Sequence, residues 1–300
     1  MENLDEKIII AHIMGKWNGG GVESVVMNYY RNIDRNKIQF HFLCDEDSTD
    51  IPYEEIEKLG GKVIVIPPYQ KLFKYQKELY RIFKENDYNI VHSHINALSV
   101  FPLRIAKKAG VPIRIAHSHS TSNKKEWKKN ILKMILRPFS KVYANQFFAC
   151  TKHAGKWLFG KKIIERKELN VINNAIDLKK FEFNENTRED LRKELGIKED
   201  VLVIGHVGRF MKQKNHEFLI DVFEKAIKQD DNIYLILVGQ GPLEDKIKEM
   251  AKEKGIEDKI LFLGQRNDVN KLYQAMDIFV LPSLYEGLRN GCDRSRGFRS

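Results

Sequence analysis

Short apolar runs rich in β-branched residues alternate along this chain with segments whose apolar positions recur every three to four residues. The runs at 7–13, 38–44, 62–66, 89–92, 113–117 and 146–150 are mostly apolar on both faces, as strands buried in a parallel sheet must be. Between them, 22–32, 71–84 and 98–108 carry the period of amphipathic helices. That alternation predicts an open parallel sheet with helices on both sides. After Val171 the stretch INNAIDLKKFEFNENT holds turn formers and no sustained period, so 171–186 is expected to be a linker. A second series follows, with strands at 201–207, 233–238, 260–263 and 278–281 and helices at 215–228, 243–254 and 269–275. The order predicts an α/β protein of two Rossmann-like domains, 1–170 and 187–300, with a cleft between them.

Candidate chemistry lies where strand ends meet helix starts. The first strand leads into MGKWNGGGVESVV, where Gly19, Gly20 and Gly21 precede a helix. Such glycines let backbone N–H groups close on a phosphate, and the helix N-terminus adds about half a positive charge. A tight turn with no ligand reads the same way, and Glu23 could serve only the helix dipole. His92 with His94, and His117 with His119, end neighbouring strands, where imidazole can hold a sugar hydroxyl or phosphate, or move a proton. In the second domain Arg209 follows the strand at 201–207 and Lys214 stands where the next helix begins. Two cations and a helix N-terminus then address one place, as a departing diphosphate requires. Gly239 and Gly241, in VGQGPLED, would let a nucleotide approach the backbone, and Glu286, after the last strand, would accept hydrogen bonds from sugar hydroxyls.

Four segments together carry a resemblance: GGGVE at 19–23, GRFMKQKNHEFLI at 208–220, VGQGPLED at 238–245 and AMDIFVLPSLYEGL at 275–288. The chain resembles the retaining glycosyltransferases of family 4, with the GT-B fold, from Lys7 to Leu288. The resemblance implies that Gly20, Gly21, Gly241, Arg209 and Lys214 bind the donor. It makes Glu286 the first glutamate of the family's E-x7-E motif and VINNAID an interdomain segment. HSHST is similar to the family's active-site histidine region, the spacing from Pro112 favouring His119 over His117. The implied reaction moves a hexose from a nucleotide-diphosphate sugar to a sugar or lipid-linked acceptor hydroxyl with retention, with no metal and no separate cofactor, in cell-surface polysaccharide or glycolipid assembly.

Composition narrows the alternatives. A 300-residue chain with 42% hydrophobic and 31% charged residues supports two ordinary cores. Cys44, Cys150 and Cys292 are too few and too scattered for a disulfide framework or a metal site. The N-terminus lacks a signal-peptide layout and no apolar run approaches the roughly 18 residues of a membrane span, so a cytoplasmic location is expected. The net charge of +10 is spread over helical faces; nucleic-acid binding rests on that charge alone and is not expected. In 124–139, KKEWKKNILKMILRPF, Trp127, Ile131, Met134 and Ile135 share one side of a helical wheel, opposite Lys125, Lys129, Lys133 and Arg137. A basic amphipathic helix of this kind can rest on the anionic inner face of a membrane, and equally can be an ordinary helix with a solvated basic side. A Rossmann oxidoreductase is excluded by the lack of a complete dinucleotide fingerprint.

The last twelve residues break style. RNGCDRSRGFRS has four Arg and no Lys, against 36 Lys and 11 Arg before it. It can be encoded so that deleting one base yields GMVAIEAAASG, which would place a glutamate at Arg294 and complete E-x7-E. A one-nucleotide insertion near codon 289 is therefore expected, with a C-terminally truncated, incomplete second domain. The competing reading is a catalytically inactive sugar-phosphate or lipid-binding remnant.

Overall fold

The apolar runs of the first half do pair side by side. β1 (Ile8–Gly15), β2 (Ile38–Asp45), β3 (Lys62–Ile66), β4 (Ile90–Ser93), β5 (Ile113–Ser118), β6 (Gln146–Ala149) and β7 (Leu169–Val171) form one sheet in the order β3-β2-β1-β4-β5-β6-β7, every pair parallel. This computed structural model describes residues 7–119 and 134–284. Its contacts divide the chain into two units, Met1–Ala175 and Ile176–Ser300. Three-residue β7 is an addition to the sequence reading. It is too short to show a period and is held by its pairing with β6, Phe147 opposite Leu169 and Ala149 opposite Val171.

Parallel neighbours need crossovers, and helices supply them. The helix Leu72–Glu85 buries Tyr75, Leu79, Ile82 and Phe83, a single stripe at spacings of four, three and one. The helix Val100–Ala109 ends on Gly110 at φ +92°, a left-handed position that a side chain would strain. Because side chains alternate across a strand, Ala11, Ile13, Leu43, Val91 and Ala116 join these helices in the larger core. Met14, Phe40 and Phe42 face the other way, against Val26, Met27 and Tyr30 of the helix Gly21–Asn32.

The second unit repeats the plan with fewer strands. β8 (Leu202–Val207), β9 (Ile233–Val238), β10 (Ile260–Phe262) and β11 (Ile278–Phe279) run parallel in the order β10-β9-β8-β11. Phe210, Leu219, Phe223 and Ile247 cover one face; Leu191, Val201, Leu272 and Tyr273 cover the other. The helix Glu185–Glu194 departs from the sequence reading, since it starts inside the stretch read as linker. Its ten residues bury only Leu191 and Arg192, so no apolar period announces it, whereas its cap does: Asn184 Oδ1 accepts the Thr187 N–H at 2.9 Å. Strand order reverses between β1 and β4 in one sheet and between β8 and β11 in the other, and ligands of open parallel sheets bind beyond the carboxyl ends at such places.

Candidate functional site

At the β1–β4 reversal, strand periodicity sends His92 and His94, and likewise His117 and His119, to one face. His12 of β1 joins them, opposite His92 in register. His12 Nδ1 lies 2.9 Å from His94 Nε2, His94 Nδ1 lies 2.9 Å from His119 Nε2, and His92 Nε2 lies 3.0 Å from His117 Nδ1. Phe40 closes the layer at one end, 4.0 Å from His12 between ring centroids, and Phe148 at the other, 5.5 Å from His92. All five imidazoles are buried. Burial pushes His12 down to about 3 and His119 to about 4. It also drives His92, His94 and His117 well below the usual imidazole value, with neighbouring rings adding to the effect. At neutral pH each ring is therefore uncharged, with one N–H and one lone pair.

The two sequence candidates differ in depth. His117 lies within β5, and its Nε2, like that of His12, is buried with no hydrogen-bond partner among the described residues. His119 lies just beyond the strand, its N–H donating to Asn96 Oδ1 at 2.8 Å and its carbonyl accepting from Cys150 Sγ at 3.3 Å. Asn96 holds that place at φ +53°, opening the short 3-10 turn Asn96–Ser99. Sequence reading missed both His12 and Asn96. The one signal for His12 was an imidazole interrupting the apolar run IIIAHIM.

Gly20 is the residue before the helix Gly21–Asn32, in extended conformation, its carbonyl accepting from Ser24 N–H at 3.1 Å and Ser24 Oγ at 3.0 Å. Gly21 opens the helix. Glu23 Oε1 folds back to accept the Asn18 N–H at 3.3 Å, bringing a carboxylate of this protein to the loop that precedes the helix. Nearby, a cavity of about 210 Å³ is lined by Gly15, Lys16, Asp45, Asp47, Tyr69 and Tyr75 among others. Lys16 Nζ contacts Asp47 Oδ2 at 2.8 Å. Burial, then Asp47 and Glu46, lifts the Asp45 carboxyl to about 6 against the pull of Lys16.

In the second unit the loop after β8 is stitched to its neighbours. Gly208 N–H donates to Val238 O at 2.8 Å, Phe210 N–H to Gln240 O at 3.1 Å, and Leu284 N–H to Gln213 O at 2.9 Å. Arg209 is exposed on this loop. A side-chain carbon on Gly208 would sit 3.1 Å from Lys214 Cδ, so the lysine stem passes over the residue next to Arg209. Gly241 has a packing reason for its identity: a Cβ there would lie 2.5 Å from Phe210 O. Beneath the loop His216 is buried, stacked on Phe210 at 4.2 Å, and burial, then His206 and Lys214, lowers it to about 3. Glu286, Arg294 and positions 124–133 of the basic segment lie outside the described residues.

Two family models match this chain. The description "Glycosyltransferase Family 4" covers residues 19–180, more than half of the chain, and "Glycosyl transferases group 1" covers 187–288. The chain belongs to glycosyltransferase family 4. A protein of Bacillus subtilis (strain 168) named as the glycosyltransferase EpsF is 35% identical over 291 residues, 95% of this chain and 76% of that relative. The UDP-Gal:alpha-D-GlcNAc-diphosphoundecaprenol alpha-1,3-galactosyltransferase of Escherichia coli is 26% identical over 298 residues, 96% of this chain and 76% of its own. Among solved structures, Anabaena Alr3699/HepE in complex with UDP and glucose superimposes with a TM-score of 0.80 at 18% identity, over 96% of this chain and 78% of that one. The two parallel sheets thus carry the GT-B fold of a glycosyltransferase, the second unit having the smaller sheet. Among the described residues no helix is long and apolar enough to cross a membrane.

Proposed function

We propose that this family member transfers a hexose from a UDP-sugar to a hydroxyl of a sugar or lipid-linked acceptor, with retention at the anomeric carbon, in surface polysaccharide or glycolipid assembly. One observation carries the reading: the stem of Lys214 passes over Gly208, the residue before exposed Arg209, at the carboxyl end of β8 beside the strand-order reversal, in a chain of this family. Cations there stabilise the diphosphate as the bond from its oxygen to the anomeric carbon breaks. In the first unit His119 meets a sugar hydroxyl through Nδ1, because Nε2 faces His94. Gly241 and the carboxylate of Glu286 are the further donor contacts of the second unit in this reading, and Gly20 and Gly21 are the donor-binding glycines of the first. The names of relatives that use UDP-Gal, or were solved with UDP and glucose, support the donor class.

Arginine usage after Leu288, where the family match also ends, supports the proposal that 289–300 are read out of phase. The test is therefore run on this chain and on one carrying GMVAIEAAASG from position 289. Arg209→Ala weakens UDP binding by calorimetry about 10-fold or more in both, and lowers transfer from UDP-hexoses about 100-fold wherever transfer is measurable. Equal UDP binding by the parent and Arg209→Ala would remove Arg209 from the donor site.

Contact with an anionic membrane is proposed for the end of the basic segment, supported by the exposure of Met134, Ile135, Phe139 and Val142 beside Lys141. Sedimentation with phosphatidylglycerol vesicles at low salt tests it; a chain that stays in the supernatant rules it out.

A further inference from the structure

The imidazole layer holds more rings than substrate contact needs. His12, His92 and His117 lie deeper in the strands than His94 and His119, so they cannot all serve a ligand beyond the strand ends. A buried layer of five neutral rings is costlier than an apolar one of the same volume. Two overlapping triads offer one nitrogen per ring within 4.8 Å of one another, His12 with His92 and His94, and His94 with His117 and His119. They share His94, and one neutral ring has one lone pair, so the layer accommodates one ion.

Ring contacts and the place of His119 together favour the first triad. A tetrahedral zinc-class ion with metal–nitrogen distances of about 2.0–2.1 Å sets its ligand nitrogens roughly 3.3 Å apart. His12 Nδ1 and His94 Nε2, 2.9 Å apart, reach that by a few tenths of an ångström. The other two contacts then survive intact. His94 Nδ1–H donates to His119 Nε2, and His92 Nε2–H donates to His117 Nδ1, which leaves the His92 Nδ1 lone pair for the ion. Two of the three ligands, His94 and His92, thus pass the outer N–H to a second ring, the arrangement that fixes tautomer and ring plane in histidine metal sites. Ligation by the second triad through His119 Nε2 would instead open the His94–His119 contact and commit to the ion the ring that the proposed function assigns to a sugar hydroxyl. His92 and His94 also stand two apart on one strand, on one face.

We infer that His12, His92 and His94 bind one divalent transition-metal ion of the zinc class, with His117 and His119 as outer hydrogen-bond acceptors. The ion ties β1 to β4 below His119 and, through His94, holds the His119 ring. No metal was expected from the sequence, where the cysteines are too few and scattered and the resemblance implies none; His12, 80 residues before His92, has no metal-site spacing to it.

The test uses the untagged chain, stripped with EDTA and dialysed, then given Zn2+ alone, with bound metal measured by mass spectrometry after gel filtration. One zinc per chain is expected, and Co2+ in its place should show the visible absorption of a tetrahedral nitrogen site. His12→Leu should weaken binding by more than 100-fold, and His117→Leu by about 10- to 100-fold, as loss of an outer partner does. His153→Gln, at an exposed histidine, should change nothing. If His12→Leu fails to fold, His12→Gln and the wild-type chain decide: Zn2+ must slow amide exchange in β1 and β4 of the wild type. Absence of bound zinc, zinc kept by a folded His12 variant, zinc lost in His153→Gln, or no slowing of exchange each overturns the site.

Discussion

The two units share one architecture and differ in the largest group of polar side chains inside it. The first buries uncharged rings: five imidazoles in one layer, held neutral by burial. The second buries charge. Arg192, which is 2% exposed, donates to Asp277 Oδ2 at 2.6 Å, to Glu199 O at 2.9 Å and to Val201 O at 3.1 Å. Arg188 takes Asp277 Oδ1 at 2.6 Å, and the Val203 N–H takes Oδ2 at 2.8 Å. This clamp ties the helix Glu185–Glu194 to the amino ends of β8 and β11, whereas the imidazole layer sits toward the carboxyl ends of the strands of the large sheet. A group that must stay neutral and a group that must stay ionised respond differently to acid and to mutation, so each unit can be stressed alone.

Acid gives the largest effect. His12 and His119 titrate near 3 and 4 in the folded chain, against about 6.5 when unfolded. Between those values the unfolded chain binds more protons, so stability is full above pH 6.5 and falls as pH drops toward the folded values. At pH 5 each of the two rings accounts for about 2 kcal/mol of lost stability. His92, His94 and His117 shift the same way, while Asp45, lifted to about 6, opposes them. The second unit has His216 near 3, and in Asp277 burial, which raises the carboxyl, is outweighed by Val203 N–H, Arg188 and Arg192, so that carboxylate stays ionised at pH 5. Amide exchange of the metal-free chain at pH 7 and pH 5 should show the first unit opening more. Equal opening of both units would break the contrast.

Breaking the clamp comes next. Asp277→Asn leaves two arginines without their counter-charge, one of them buried, and should cost the second unit about 3–5 kcal/mol. The first unit offers a control of similar geometry in water: Arg31 Nε meets Glu55 Oε1 at 2.5 Å, with a third of each side chain exposed. Glu55→Gln should cost less than about 1 kcal/mol. Urea unfolding followed by unit-specific peptides in exchange mass spectrometry measures both. Similar costs would mean that the clamp is solvated in solution.

How far such features can be read in advance depends on their range along the chain. The strand at 233–238 and the helix at 269–275 coincide with the observed elements, because a buried strand or an amphipathic helix writes its period locally. Loop positions that follow a strand end directly, such as Arg209 and His119, were legible for the same reason. The clamp was not: Asp277 is 85 residues from Arg192 and 89 from Arg188, and reads as an ordinary acid before a strand. His12 was hidden likewise, since a lone imidazole in an apolar strand gains meaning only when β4 is laid beside it.

The smallest effect tests whether the units differ only in those long-range groups. Each has a short helix with a side-chain cap of the same design. Thr151 Oγ1 accepts the Ala154 N–H at 3.0 Å at the start of Lys152–Phe159, and Asn184 Oδ1 accepts the Thr187 N–H at 2.9 Å at the start of Glu185–Glu194. Each bond satisfies one of the otherwise unpaired N–H groups of a helix's first turn, a purely local matter. Thr151→Ala and Asn184→Ala should therefore each cost about 1 kcal/mol, in their own unit only and equally at pH 7 and pH 5. A cap cost that changes with pH, or spreads to the other unit, would show that the division between local and long-range stabilisation drawn from the layer and the clamp does not hold.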